Sequence, residues 1–288
     1  MKNGHEEPYA HASYRIAGPT HIAFSGGRTS AYMLYHILAA HDGKLPSDVV
    51  VSFQNTGREM PETLDFVADC ARHWSVPITW LERDSDDDRG FRTVGHNDAA
   101  RNGEPFQRLV EERGYLPNAV ARFCTAELKV RVAKRYMLSL GYSHWTSVLG
   151  LRADEAKRVA RACAPTKERW QNHCPLADAG ITKRQISAFW KRQTFDLRLA
   201  NVEGKTPLGN CDGCFLKSEK TLAALIRDFP ERAQWWLDVE SGVRTRGRAS
   251  RFNKNFALAD LASFVDRQGD WVFDQEDALC DAPHGFCE

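Results

Sequence analysis

The feature that most constrains the fold is a decapeptide near the start of the chain, His21-Ile-Ala-Phe-Ser-Gly-Gly-Arg-Thr-Ser30. The apolar run at 22–24 reads as a short buried strand. It meets Ser25-Gly26-Gly27, then the hydroxyls of Thr29 and Ser30, then a helix-like pattern over 31–40. A strand, a glycine turn and a helix N-terminus follow each other without spacer. Such a turn presents backbone N–H groups, and the helix dipole adds partial positive charge. The expected ligand is an anion, phosphate or pyrophosphate.

The loop lacks the G-x-x-x-x-G-K-[ST] pattern of a Walker loop and the G-x-G-x-x-G pattern of dinucleotide-binding turns. Ser25-Gly-Gly-Arg-Thr-Ser30 instead resembles the S-G-G-x-[DT]-S loop of PP-loop enzymes, the adenine-nucleotide α-hydrolase superfamily. After a second apolar run at 49–53 comes Asn55-Thr-Gly-Arg-Glu-Met-Pro-Glu-Thr63. It is similar to the D-T-G-x-x-x-P-E-T segment of the phosphoadenosine phosphosulfate reductase branch. Gly150-Leu-Arg-Ala-Asp-Glu155 with Arg158 resembles that branch's G-x-R-x-x-E/Q-S-x-x-R segment. Cys174-Pro-Leu-Ala-Asp178, leading to Gly180-Ile-Thr-Lys183, resembles its P-L-x-D-W-T stretch. The four segments keep the family's order across roughly residues 20–195.

The resemblance implies a nucleotide site that takes ATP or an adenylyl-sulfate and works near the α-phosphate. Carried over position by position, Ser25, Gly26, Gly27, Thr29, Ser30, Asn55, Thr56 and Gly57 would hold the nucleotide. Arg28, Arg152 and Arg158 would meet phosphate or sulfate oxygens, for which a guanidinium is well shaped. Two departures stand out. Arg28 and Thr29 replace the Lys and Asp common in the loop, which removes a carboxylate on the side where Mg2+ would bind. Asn55 replaces a common Asp.

At 288 residues the chain can hold one large domain or a domain with an appendage. The expected division is a lead-in over 1–18, a nucleotide-binding domain over 19–195, and a helical region over 196–288. Strands are expected near 20–24, 48–53, 77–81 and 145–151, and helices near 29–41, 61–74, 104–114, 126–140, 182–193, 217–228 and 230–240. Strands alternating with helices predict an α/β fold, a parallel sheet with helices on both faces. The ligand belongs at the carboxyl ends of the strands. The acidic run at 84–88 reads as a solvated loop. A net charge of +1 gives no global pull toward nucleic acid. No run of about 20 apolar residues predicts a membrane span. The first residues lack the apolar core of a secretion signal, so a cytoplasmic location is expected.

In that compartment the eight cysteines are expected to be reduced, metal-bound or catalytic. Cys211-Asp-Gly-Cys214 can aim two thiolates at one metal, but a zinc ion or a 4Fe-4S cluster usually takes four ligands. A redox pair and a zinc knuckle are the other readings of this motif. Cys124, within Arg122-Phe-Cys-Thr-Ala-Glu-Leu-Lys129, resembles the C-[CT]-x-x-x-K segment of sulfonucleotide reductases and related PP-loop enzymes. In cluster-bearing relatives a cysteine there joins a downstream C-x-x-C. The resemblance therefore implies a 4Fe-4S cluster on Cys124, Cys211, Cys214 and a fourth ligand. Cys174 is the first choice for that ligand and Cys163 the second. Lys129, Arg122 and Lys217 lie close in sequence to these thiols. Cys70 falls among apolar helix positions and reads as core.

Cys280 and Cys287 lie in a tail that lacks the Glu-Cys-Gly-Leu-His of sulfonucleotide reductases, with His284 between them. The stretch at 244–254 carries five cations and could contact the phosphates of substrate or nucleic acid. The first functional expectation is an ATP-dependent adenylating or sulfur-transfer enzyme with a 4Fe-4S cluster, acting on a nucleobase or nucleic acid with a separate sulfur donor. The second is a sulfonucleotide reductase that releases sulfite and draws on a thioredoxin-like reductant. The third is a nucleotide-binding protein without catalysis.

Overall fold

A computed structural model describes residues 11–245 and 251–268. The basic residues at 246–250, Cys280, His284 and Cys287 lie outside the described residues. So does the beginning of the expected lead-in.

The fold is α/β. Six strands form a mixed, mostly parallel sheet in the order β4-β3-β2-β1-β5-β6. They are β1 (Thr20–Ala23), β2 (Val49–Gln54), β3 (Thr79–Arg83), β4 (Phe91–Val94), β5 (Trp145–Leu149) and β6 (Trp170–His173). β1 runs parallel to both its neighbours, with Ala23 opposite Ser52 on β2 and Leu149 on β5. β5 and β6 are also parallel. The sheet order reverses direction about β1, so its carboxyl end opens at a topological switch point. That is where the glycine turn begins.

The helices are α1 (Arg28–Ala40), α2 (Pro61–His73), α3 (Glu104–Arg113), α4 (Phe123–Thr125), α5 (Arg131–Ser139), α6 (Ala156–Ala162), α7 (Pro175–Asp178), α8 (Lys183–Trp190), α9 (Glu219–Asp228), α10 (Pro230–Thr245) and α11 (Leu258–Gln268). α1 is apolar on most of its circumference. Ala31, Tyr32, Met33, Leu34, Ile37 and Leu38 are all buried, as in a helix enclosed by neighbours. α2 opens on Pro61 with Glu62 in its first turn and ends on Arg72 and His73, charges that suit its dipole. Its inner face carries Leu64, Phe66, Val67 and Cys70. Burial pushes the Cys70 thiol well above its ordinary value.

The chain divides into two compact units that interleave in sequence. One runs up to Phe53 and takes in Glu62–Trp80 and Tyr136–Arg198. The other takes in Gln54–Pro61, Leu81–Arg135 and the described residues from Leu199 onward. In the first unit, Tyr32 of α1 meets Phe189 of α8 edge-on at 5.0 Å, and Phe66 of α2 meets Trp190 at 5.1 Å. The second unit has a core of its own, in which Phe106, Leu109, Leu128, Leu222, Trp236, Phe252 and Leu261 are buried together.

Candidate functional site

The first unit holds the glycine turn. Gly26 has φ +77°, a conformation that a side chain disfavours. A Cβ there would also stand 2.8 Å from Thr63 Cγ2 and 3.0 Å from Val67 Cγ2. Gly27 is the N-cap of α1 and brings no side chain to cap it. Two serines tie the turn across its base. Ser25 N donates to Ser30 Oγ (3.2 Å), the two hydroxyls lie 3.0 Å apart, and Ser30 Oγ donates to Gly27 O (3.0 Å).

The segment after β5 comes against this turn. A Cβ on Gly150 would lie 3.2 Å from Ser30 Cα, so the backbones pass closely. Arg152 is buried; its Nη1 approaches Thr29 Oγ1 at 3.5 Å and its Nε donates to Asp154 Oδ1 at 2.9 Å. Glu155 accepts from Arg152 N at 3.0 Å and pairs with Arg158. The turn, Gly150 and Arg152 therefore meet at one place. The fourth segment joins them through Ala153 N, which donates to Ile181 O at 2.8 Å.

Arg28 is engaged differently from the sequence expectation of a phosphate contact. Its guanidinium grips Asp196 with two bonds, 2.8 and 2.9 Å, and also donates to Leu197 O. Trp190 Nε1 donates to Arg28 O at 2.9 Å. The partner lies far down the chain, so no local pattern marked it.

Cys174 also lies in the first unit. It is the N-cap of α7, nearly fully buried, and its Sγ is 3.5 Å from Cys163 Sγ. Burial, then Cys163, pushes the Cys174 thiol well up.

The second unit gathers the Asn55-Thr-Gly segment and the other three cysteines. Asn55 Nδ2 donates to Glu82 Oε1 (2.6 Å) and Ala100 O (2.8 Å), and its Oδ1 accepts from Gly57 N (3.2 Å). Glu82 has no exposed surface. An aspartate in place of Asn55 would set two buried carboxylates together, so an amide suits this position. Thr56 donates through N and Oγ1 to Glu59 Oε2 at 2.9 and 2.8 Å, and its Oγ1 lies 3.3 Å from Cys211 Sγ. Gly57, at φ +81°, passes so near Gly103 that a Cβ would lie 2.9 Å from Gly103 Cα.

Cys124, Cys211 and Cys214 share one electrostatic neighbourhood with Lys129. Cys124 sits in the single turn of α4. A π-helical turn, Ala126–Val130, follows and carries Lys129 to within 3.6 Å of Glu59 Oε1. Such turns often mark functional sites. Burial and then the neighbouring Cys214 push the Cys124 thiol up to about 11. Burial and then Glu59 push the Cys211 thiol up further. Lys129 is held above its ordinary value: burial opposes its charge, but Cys211, Glu59, Cys214 and Cys124 outweigh it. Lys217 Nζ donates to Pro207 O (2.6 Å) and Gly209 O (2.8 Å), and burial draws its pKa down.

Two residues of this site escaped the sequence reading. Glu59 anchors Thr56 and meets Lys129. Asp212, inside the C-x-x-C, accepts from Arg58 Nη2 (2.9 Å), Trp236 Nε1 (2.7 Å), Gly213 N (2.8 Å) and Arg232 Nε. A Cβ on Gly213 would stand 2.4 Å from Trp236 Nε1, so only glycine fits. The two residues between the cysteines thus fix the loop to the core of the unit.

A 4Fe-4S cluster is held by four cysteine thiolates, and Cys124, Cys211 and Cys214 offer three of them. The side chains are not drawn round a common point, however. Among the described residues no group of three or more His, Cys, Asp or Glu side chains is spaced to hold a metal ion. No helix of the described residues is long and apolar enough to cross a membrane.

The chain is an α/β protein with a glycine turn at a sheet switch point in its first unit and a group of three thiols in its second. The chain is 32% identical over 233 residues to the uncharacterised nin region protein ORF290 of Escherichia phage lambda, spanning 78% of this chain and 75% of that protein. It belongs to the family of that phage protein. It is also 30% identical over 237 residues to an uncharacterised protein of Methanocaldococcus jannaschii, spanning 78% of this chain but only 42% of the archaeal protein. No family model matches the chain. Among solved structures, a phosphoadenylyl-sulfate (PAPS) reductase from Candida auris, in a phosphate complex, is similar over 61% of this chain and 72% of its own, with 16% identity and a TM-score of 0.40.

Proposed function

We propose that this chain is an adenine-nucleotide enzyme of the PP-loop kind, which activates an acceptor oxygen by adenylation and then replaces it with sulfur. The observation that carries this reading is the meeting of the glycine turn with Gly150 and Arg152 at Thr29. That meeting is what an ATP triphosphate needs: first-turn amides of a long helix, a close backbone approach and one buried guanidinium. The amides after Gly26 would hold the pyrophosphate as it leaves the α-phosphorus. Arg152 would take a phosphate oxygen, with Glu155 holding Arg158 beside it. Arg28 serves by fixing the start of α1 to Asp196.

The sulfur chemistry falls to Cys124, Cys211 and Cys214, three of the four ligands that a 4Fe-4S cluster would need. When bound, that cluster supplies a sulfur or electron carrier. Around it, Lys129 would offset thiolate charge, Glu59 would orient Lys129 and Thr56, and Asp212 would hold the loop in place. A nucleobase or nucleic acid is the proposed acceptor, with an external sulfur donor and Mg2+ on the nucleotide.

The test is turnover by protein purified without oxygen, with iron content measured in parallel. ATP with release of pyrophosphate supports the reading. Release of sulfite from an adenylyl-sulfate would replace it with the reductase reading. Binding of nucleotide with turnover of neither would make the chain a non-catalytic nucleotide binder. Iron should fall in both Cys124→Ala and Cys211→Ala. Iron-free, colourless protein would remove the cluster from the proposal.

A further inference from the structure

Cys163 and Cys174 are left over when the thiol cluster of the second unit is accounted for. They lie within the first unit, in the segment that also carries Glu155 and Arg158. Cys163 is the C-cap of α6 and is exposed; Cys174 is the N-cap of α7 and is 1% exposed. Their sulfurs are 3.5 Å apart. A disulfide bond is about 2.05 Å, so closure needs the two sulfurs to approach by about 1.5 Å. The backbone around the pair is well held. Cys163 N donates to Val159 O at 2.9 Å, Asn172 Nδ2 donates to Ala162 O at 2.8 Å, and the Cys174 carbonyl accepts from Ala177 N at 3.0 Å and Asp178 N at 3.1 Å. Two thiols are thus presented to each other by fixed ends of two helices, one open to solvent and one shielded.

We propose that Cys163 and Cys174 form a reversible dithiol–disulfide pair that exchanges with low-molecular-weight disulfides, Cys163 being the entry sulfur and Cys174 the resolving one. The thiolate of Cys163 attacks one sulfur of a small disulfide. That bond breaks, one small thiol leaves, and a mixed disulfide forms on Cys163. Cys174 then gives up its proton and attacks the Cys163 sulfur, releasing the second small thiol. The protein loses two electrons and two protons, and the small disulfide gains both. Excess small thiol reverses the sequence. Closure ties the end of α6 to the start of α7, on either side of β6.

The experiment uses the full chain in glutathione buffers of graded thiol-to-disulfide ratio, with acid quench, alkylation and peptide mass analysis. The expected result is coordinated loss of both free thiols and a cross-linked peptide pair lighter by two hydrogens, restored by excess reduced glutathione. Cys174→Ser should instead accumulate glutathione on Cys163, and Cys163→Ser should leave Cys174 free and unmodified. Glutathione held on Cys163 of the unaltered chain without cross-linking would overturn the proposal. So would two alkylatable thiols across the whole range. Iron content measured on Cys174→Ala and Cys163→Ala gives an independent arm. Loss of iron in either would assign that cysteine to the cluster and refute the pair, whereas the proposed nucleotide function could fail with the pair intact.

Discussion

Asp212 has no exposed surface and takes hydrogen bonds from Arg58, Arg232, Trp236 and its own neighbour Gly213. Arg58 is 3% exposed and stacks over Trp235 at 4.6 Å. Removing the carboxylate leaves that guanidinium buried without its counter-charge. Breaking one side of a buried pair costs about 3–5 kcal/mol. Asp212→Ala should therefore lower the urea midpoint strongly, while an exposed change such as Asp238→Ala should not. Gly213→Ala should cost about 1–3 kcal/mol by overpacking against Trp236; an unchanged thermal midpoint would contradict the geometry. The cysteines were legible in the sequence because C-x-x-C spacing advertises itself. The role of Asp212 was not, since its partners lie 154 and 20 residues away. Arg28 and Asp196 hid each other in the same way.

At the scale of elements, the strand–turn–helix at the start of the sheet was readable because each part has a local cause. β1 leads into the apolar run at 22–24, the turn needs glycine, and α1 is apolar nearly all round. Gly26→Ala meets both a disfavoured φ and the 2.8 Å approach to Thr63. It should destabilise the first unit by about 1–3 kcal/mol and weaken nucleotide binding. Pairing it with Thr63→Ala should recover part of the stability, because the shortest approach is removed while the tight contact with Val67 and the backbone strain stay. β4 and β6 were not foreseen. Phe91-Arg-Thr-Val94 buries only Phe91 fully, and Trp170-Gln-Asn-His173 buries none of its residues fully. Strands at the ends of the sheet order can be this short and polar, and neither period-2 alternation nor an apolar run then marks them. The π-helical turn after Cys124 carries no sequence signal of its own, because it fills only Ala126–Val130 at the head of a longer helical pattern.

For the whole molecule, two buried histidines link stability to pH. His21 and His36 are each 3% exposed, and burial draws both down to about 4 from 6.5. His21 also meets Ser52 Oγ at 2.7 Å, and His36 packs against Tyr32 with centroids 4.2 Å apart. Both are neutral in the folded chain. The unfolded chain takes up protons below about pH 6.5, so the stabilisation is full above that value and is lost as pH falls toward 4. Each can contribute up to about 3 kcal/mol at 1.36 kcal/mol per pKa unit. Urea unfolding at pH 7 and pH 5 should show a clear fall, reduced in His36→Phe. Equal stability at both would contradict the burial.

The interleaving of the two units also belongs to this scale. Order along the chain placed the four segments in one domain. The fold sends the Asn55-Thr-Gly segment to the unit with Cys124, Cys211 and Cys214, and the other three to the unit with the glycine turn. Sequence order does not report such crossings.

The central claim is that the Ser25–Ser30 turn receives the phosphates of an adenine nucleotide. Calorimetric titration of ATP into the full chain and into Arg152→Ala tests it most directly. The account predicts saturable binding by the unaltered chain and affinity at least tenfold weaker in the variant, with unchanged circular dichroism. No binding of ATP or of an adenylyl-sulfate by the unaltered, folded chain would contradict it, as would equal affinity in the two proteins.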